Sequence, residues 1–327
     1  MHVAPWVWWT TVLLTTAILL FDVFVIGRRP HEPSRRETTL ALTAYLALAV
    51  VFGLGVWYFS GGQYGGEFFA GWMTEYALSI DNLFIFIVIM GKLAVPRELQ
   101  QSALLVGIVL ALVLRGIFIA VGAAAIHEFS WVFYIFGAFL VVTAINLARE
   151  GGEQEGGYDE PRLVRLLRRR LPLGETWNGA RVTVRENGSR LFTPMFIVVL
   201  TLGVTDLLFA LDSIPAIYGL TSEPYLVLTA NIFALMGLRQ LYFLIGALLT
   251  RLVFLSYGLA FLLLFIGVKL VLHAMHENTL PFVNGGERVS WAPDIPIWVS
   301  LAVIVATLAL TTVASLASDR FRSGTPA

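Results

Sequence analysis

Thr74-Glu75-Tyr76-Ala77-Leu78-Ser79-Ile80-Asp81-Asn82 and Thr205-Asp206-Leu207-Leu208-Phe209-Ala210-Leu211-Asp212-Ser213 repeat one polar pattern inside otherwise apolar sequence: threonine, acid, five residues, aspartate, small polar residue. Each lies in an apolar run, 68–91 and 192–215, long enough to cross a bilayer core of about 30 Å. A carboxylate inside a membrane helix costs about 2.5 kcal/mol or more to insert, so four at matched spacing need a partner, most economically a cation. The pattern points to transport of a positively charged substrate.

The membrane setting follows from composition. Of 327 residues, 57% are hydrophobic and 13% charged, and the mean hydropathy of +0.79 is too high for a water-soluble domain of this length. Seven further runs, 6–26, 40–59, 103–125, 131–148, 225–249, 252–272 and 297–316, are also long enough to span. The expected class is therefore all-α, a polytopic membrane protein of about nine transmembrane helices. Eighteen Lys and Arg fall in the segments on one side of these runs and only Arg288 on the other, which predicts the N-terminus outside and the C-terminus in the cytoplasm. Residues 1–5 hold no Lys or Arg and no small-residue cleavage signal follows, so the first run reads as a retained helix.

Net charge is zero, and the arginine excess is local to one side, which argues against a nucleic-acid partner. With no cysteine, any bound metal must use oxygen or imidazole ligands. No Gly-x4-Gly-Lys-Ser/Thr, His-Glu-x-x-His or Gly-x-Ser-x-Gly signature occurs, so neither primary active transport by this chain nor an intramembrane enzyme is expected, and no cofactor is.

The polar motifs belong to a longer repeat. Leu114-Arg115 is followed by Gly122-Ala123, and Leu238-Arg239 by Gly246-Ala247 at the same spacing; a looser Ala-Phe-Leu match joins Ala138 to Ala260. Spans three to five thus pair with spans six to eight, and an odd number of spans per unit makes the units inverted repeats, an architecture that places substrate near the midplane. The expected organisation is two N-terminal helices (1–60), a first three-helix repeat (67–148), a cytoplasmic loop (149–191), a second repeat (192–275), and an outer loop, last span and tail (276–327). The loop opens with an acidic, Gly-rich linker and continues as a basic amphipathic helix over 161–172, read as lying on the inner membrane surface, with partner docking as the sharper alternative. Residues 181–185 before Asn187-Gly188 suggest a hairpin.

Residues six apart on a regular helix differ by about 120° in azimuth and about 9 Å in height, so Glu75 and Asp81 cannot grip one ion from an unbroken helix. Either they act at successive points of a pathway or the helix opens; Pro215, which frees the carbonyl of Leu211, offers a cause for opening beside Asp212. The competing reading is that the acids pair with Arg115, Arg239 or Lys269 and only hold the bundle together. Five embedded acids, counting Asp22, against three bases leave a surplus of negative charge that suits a divalent cation or two protons. The candidate metal ligands are Glu75, Asp81, Asn82, Asp206, Asp212 and Ser213, an oxygen set that favours Mn²⁺, Mg²⁺ or Ca²⁺. Asp22 lies near a span end. His273 and His276, before Glu277, have the spacing of a weak metal site, though a hydrated helix end explains them as well.

The strings 75–82 and 205–216, together with Asn231-Ile232-Phe233-Ala234-Leu235-Met236-Gly237-Leu238-Arg239, resemble the signatures of the TerC/Alx family, and the resemblance covers most of residues 10–317. It implies a multi-pass protein of the bacterial plasma membrane, linked to tellurium resistance and, for Alx-like members, to Mn²⁺ export, with motif acids at Glu75, Asp81, Asp206 and Asp212. Asn146 departs from the Lys expected by analogy with Lys269. The leading expectation is a secondary transporter exporting a divalent cation, with proton exchange as one coupling option. The alternative is a membrane scaffold that recruits stress-response or protein-insertion partners through the 149–191 loop.

Overall fold

The computed structural model describes residues 3–28, 34–129, 131–150, 164–166, 171–172, 174, 177–186, 189–249, 254–276, 278, 280, 284–289 and 291–323. They form ten α-helices: α1 (Pro5–Arg28), α2 (Arg35–Ser60), α3 (Gly62–Lys92), α4 (Arg97–Glu128), α5 (Val132–Glu150), α6 (Pro194–Tyr218), α7 (Pro224–Met236), α8 (Leu238–Leu249), α9 (Leu255–His276) and α10 (Ile297–Ser323). Two short strands, β1 (Thr183–Glu186) and β2 (Ser189–Phe192), pair antiparallel between α5 and α6 with Glu186 opposite Ser189. The hairpin expected from Asn187-Gly188 is present, although those two residues lie outside the described set.

Eight helices among the described residues are long and apolar enough to cross a membrane, α7 and the first turns of α8 counting as one span. The first expected run forms the 24-residue helix α1, whose described side chains end at Phe21. The chain is an all-α, multi-pass membrane protein. Its outer surface is what lipid requires: Phe59 is 85% exposed and Leu310 69%, and no water-soluble fold would display so many large apolar side chains.

Helix ends coincide with punctuating residues. Ser34 caps α2 by accepting from the Glu37 amide at 3.2 Å, and Pro194 and Pro224 open α6 and α7 where a missing N–H costs nothing. Within the helices, Thr15, Thr201, Thr229 and Thr307 donate to the carbonyl four residues back, which lets hydroxyls sit in an apolar environment without an outside partner.

The expected opening of span six is not observed: α6 runs unbroken through Asp212 and Pro215 to Tyr218. Pro215 stands in the last turn, where only one intrahelical bond is lost, and bilayer hydrocarbon penalises freeing more. The break falls instead in the next span, where Gly237 separates α7 from α8. Most of the basic segment 161–172 lies outside the described residues.

Close approach between spans relies on small residues, since lipid gives helices no hydrophobic reason to associate. At the crossing of α5 and α9, a Cβ on Gly137 would stand 2.8 Å from the carbonyl oxygen of Gly267, and one on Gly267 would stand 3.0 Å from that of Gly137. α4 and α6 interlock reciprocally, with Gly107 against Leu202 and Gly203 against Leu110. α3 packs along α7 as α6 packs along α4. One core cluster gathers Leu83, Phe86, Met90, Leu99, Met195 and Leu202 at the hairpin end, and Trp177 of the connecting loop packs onto it. At the other end Phe52, Phe68, Tyr225 and Phe233 form an aromatic cluster.

Candidate functional site: two polar centres between the spans

Arg115, midway along α4, is fully buried, and so is Glu75 on α3, while Asp206 on α6 is 1% exposed. The guanidinium satisfies its donors from three other helices. Nε donates to Asp206 Oδ2 at 2.9 Å and Nη2 to Asp206 Oδ1 at 3.0 Å, a bidentate pair. Nη1 faces the Glu75 carboxylate in a second ion pair and donates to Asn231 Oδ1 of α7 at 3.0 Å. Ser213 Oγ lies 3.4 Å from Nη1. Asn231 is fixed in turn by its own Nδ2, which donates to the Val227 carbonyl at 3.2 Å. The first acid of each motif therefore pairs with one arginine, in a cluster that carries one surplus negative charge when all three groups are ionised.

The second acid of each motif goes elsewhere. Asp81 and Asn82 of α3, Phe209 and Asp212 of α6, and Thr143 and Asn146 of α5 line a cavity of about 240 Å³, with Leu78, Leu147 and Leu263 completing the lining. Thr143 Oγ1 donates to Asp212 Oδ1 at 3.0 Å. At about 30 Å³ per water the space suits roughly eight water molecules, enough for a cation that keeps part of its hydration shell. Asp81 is within ion-pairing distance of no Lys, Arg or His among the described residues, and neither is Asp212.

The six expected metal ligands thus divide into Glu75, Asp206 and Ser213 around Arg115, and Asp81, Asn82 and Asp212 around the cavity. Among the described residues no three His, Asp or Glu side chains converge as a ready metal cage. Between the centres, Ser79 stands four residues from Glu75 and three from Asn82, on one face of α3. Its Oγ is buried without a hydrogen bond among the described residues, as are Thr74 Oγ1 and Thr205 Oγ1 beside the first acid of each motif.

Sequence reading missed Thr143 as a partner of Asp212 and Asn231 as a partner of Arg115. Asn146, noted only as a departure from symmetry, lines the cavity. Lys269 points away from both centres and donates to Ser300 Oγ at 3.2 Å. His273 packs edge-on against Phe133, and Glu277 lies outside the described residues, as does the side chain of Asp22.

Comparison with known proteins places this architecture in company. The family described as integral membrane protein TerC matches residues 60–323. A Mycobacterium tuberculosis membrane protein of uncharacterised activity is 45% identical over 320 residues, covering 97% of this chain and 80% of the relative. A Myxococcus xanthus membrane protein is 35% identical over 97% of this chain and 94% of its own length. Alx of Escherichia coli, named as a candidate membrane-bound redox modulator, is 33% identical over 316 residues, 94% of this chain and 93% of the relative. No solved structure matches the chain significantly.

Proposed function

We propose that this chain, which belongs to the integral membrane protein TerC family, is a secondary transporter that exports a divalent cation, with Mn²⁺ as the substrate, through the cavity between Asp81 and Asp212. One observation carries the reading: the second aspartates of two matched motifs line a single cavity of about 240 Å³, joined there by the neutral polar side chains of Asn82, Thr143 and Asn146. Two carboxylates without a contact cation in a membrane interior are matched by a divalent ion, and an all-oxygen set selects a hard one. The scarcity of protein ligands is consistent with an ion that travels partly hydrated.

The mutual packing of α3 on α7 and α6 on α4 supports an inverted repeat as the frame for alternating access. Eighteen Lys and Arg against one support the orientation in which the hairpin end faces the cytoplasm, and the bacterial origin of the relatives supports a bacterial plasma membrane as the setting. The Arg115 cluster supplies the electrostatic wall beside the path, and its surplus negative charge offers a proton a place to ride in exchange.

The deciding experiment is Mn²⁺, Mg²⁺ and Ca²⁺ flux into proteoliposomes holding wild-type protein, Asp81→Asn or Asp212→Asn. Each substitution removes one charge and keeps side-chain size, so Mn²⁺ flux should vanish while protein abundance stays near wild type. Normal flux by either variant at normal abundance refutes the assignment.

A second reading, a scaffold for stress-response or protein-insertion partners, draws on the β1–β2 hairpin. The hairpin is tied to the bundle where Thr193 Oγ1 donates to the Arg181 carbonyl at 2.5 Å and Trp177 packs on the core. Deleting the 149–191 loop, hairpin included, separates the two: a transporter keeps its flux, a scaffold loses its phenotype.

A further inference from the structure

A larger cavity, of about 550 Å³, opens at the end of the bundle opposite the hairpin, where the start of α3, the ends of α6 and α9 and the approach to α10 converge. Glu67, Thr221 and Lys269 make its lining polar. The Glu67 carboxylate is held at both oxygens, Oε2 accepting from Thr221 Oγ1 at 2.6 Å and Oε1 from Gln63 Nε2 at 3.1 Å, so it is a fixed part of the wall. Three helices line both this vestibule and the cavity between Asp81 and Asp212. α9 gives Leu270 to the vestibule and Leu263 to the cavity, and α6 gives Gly219, the residue that caps it, and Asp212. Seven residues make two turns, about 10 Å in height and within about 20° of one azimuth. α3 gives Glu67 and Leu78, eleven residues or three turns apart and again within about 20°. The two spaces are therefore stacked along one groove.

What lies between them is hydrocarbon. Ala70 of α3, Ala216 of α6 and Ile266 of α9 stand at intermediate heights, are 0% exposed and belong to one apolar cluster with Leu263 and Leu270. Ile266 is the largest of the three. A Cβ on Gly219 would stand 2.5 Å from Ile266 Cγ2 and 3.1 Å from Leu270 Cγ, so α6 ends in bare backbone where Ile266 presses on it. An apolar constriction excludes water and with it any hydrated ion. We propose that Ile266, seated against Gly219 with Ala70 and Ala216 beside it, is the gate of the export path: an apolar plug that shuts the Asp81–Asp212 cavity from the vestibule and withdraws for the cation to leave. This rests on the export reading above, with the vestibule on the outer face.

The chain has no cysteine, so introduced thiols report without background. In spheroplasts holding the full-length protein, a membrane-impermeant methanethiosulfonate should label Ser222→Cys, in the vestibule, at least tenfold faster than Leu78→Cys, in the cavity. Adding Ile266→Ala should raise labelling of Leu78→Cys at least tenfold and leave that of Ser222→Cys unchanged. Equal labelling of the two positions with Ile266 in place, or no rise at Leu78→Cys when Ile266→Ala is present at wild-type abundance, overturns the gate. A second variant leaves the core filled. Gly219→Cys with Ile266→Cys brings two Cβ atoms within about 4 Å, in range for a disulfide. Its oxidation should lower Mn²⁺ export from proteoliposomes at least tenfold, and reductant should restore it. Full export by the cross-linked protein overturns the gate as well. Absence of Mn²⁺ flux in the wild type counts against the export reading instead, and is seen separately because labelling is read without flux.

Discussion

Arg115 Nε and Nη2 meet both carboxylate oxygens of Asp206 at 2.9 and 3.0 Å, across a sequence separation of 91 residues and with neither side chain meaningfully exposed. Arginine is suited to that geometry because its rigid fork matches a carboxylate and remains charged under all physiological conditions. Through Glu75 and Asn231 the same side chain also reaches α3 and α7, so one residue fastens helices from both halves of the chain.

Removing that fastener should be costly. Arg115→Gln leaves Glu75 and Asp206 buried beside each other without a cation, a loss of about 3–5 kcal/mol for a buried pair broken on one side. The expected result is low abundance and a depressed thermal midpoint in detergent, measurable by fluorescence-detected size exclusion. Adding Glu75→Gln and Asp206→Asn should recover much of the loss, since a neutral trio needs no counter-charge. A single Arg115→Gln variant of wild-type stability would show that the arginine fastens nothing.

Thr143→Val should weaken cation binding without unfolding the protein. The substitution keeps shape and removes the donor to Asp212 Oδ1, worth about 0.5–1.5 kcal/mol, or roughly 2- to 10-fold. The apparent KM for Mn²⁺ should change by that factor while maximal flux stays close to wild type. A change in maximal flux alone would place Thr143 in the moving parts rather than at the ion.

Gly137→Ala tests the crossing of α5 and α9. The added methyl meets Val271 Cγ2 at 2.6 Å and the Gly267 carbonyl at 2.8 Å, and backbone cannot step aside cheaply. A loss of about 1–3 kcal/mol is expected from overpacking. Gly116→Ala, which meets nothing within 4 Å, is the control and should be neutral.

Reporter fusions after residues 30, 95, 170 and 251 should all read cytoplasmic. Two or more readings on the outer side would overturn the orientation, and with it the inverted repeat.

The fold class and the four motif acids were legible in the sequence because a carboxylate in an apolar run stands out against hydrocarbon. Their division was half legible. Six-residue spacing already excluded a shared ion on an unbroken helix, and the helices are unbroken, so the first and second acids of each motif do serve different places. What the spacing could not tell was which acid meets the arginine, because that depends on how α4 rotates against α3 and α6. Pro215 misled, since a proline in the last turn costs a helix little. Thr143 carries no motif and Asn231 stands in a signature string that assigns it no partner, so packing alone turns both inward. Glu67 had a signal that was passed over: it is a further carboxylate at the head of α3, with Gln63 one turn back on the same face.

The Gly137–Gly267 crossing has a mechanical consequence. Arg115 rivets α3, α4, α6 and α7 into one block, while α5 and α9 pack chiefly on each other across a seam of bare backbone. The chamber between Asp81 and Asp212 has that block for one wall and the α5–α9 pair for the other. Its volume therefore changes most readily by the pair sliding as a single bolt past the riveted block. Spin labels on α4 and α5 should change separation when Mn²⁺ is added, whereas labels on α4 and α6 should keep theirs.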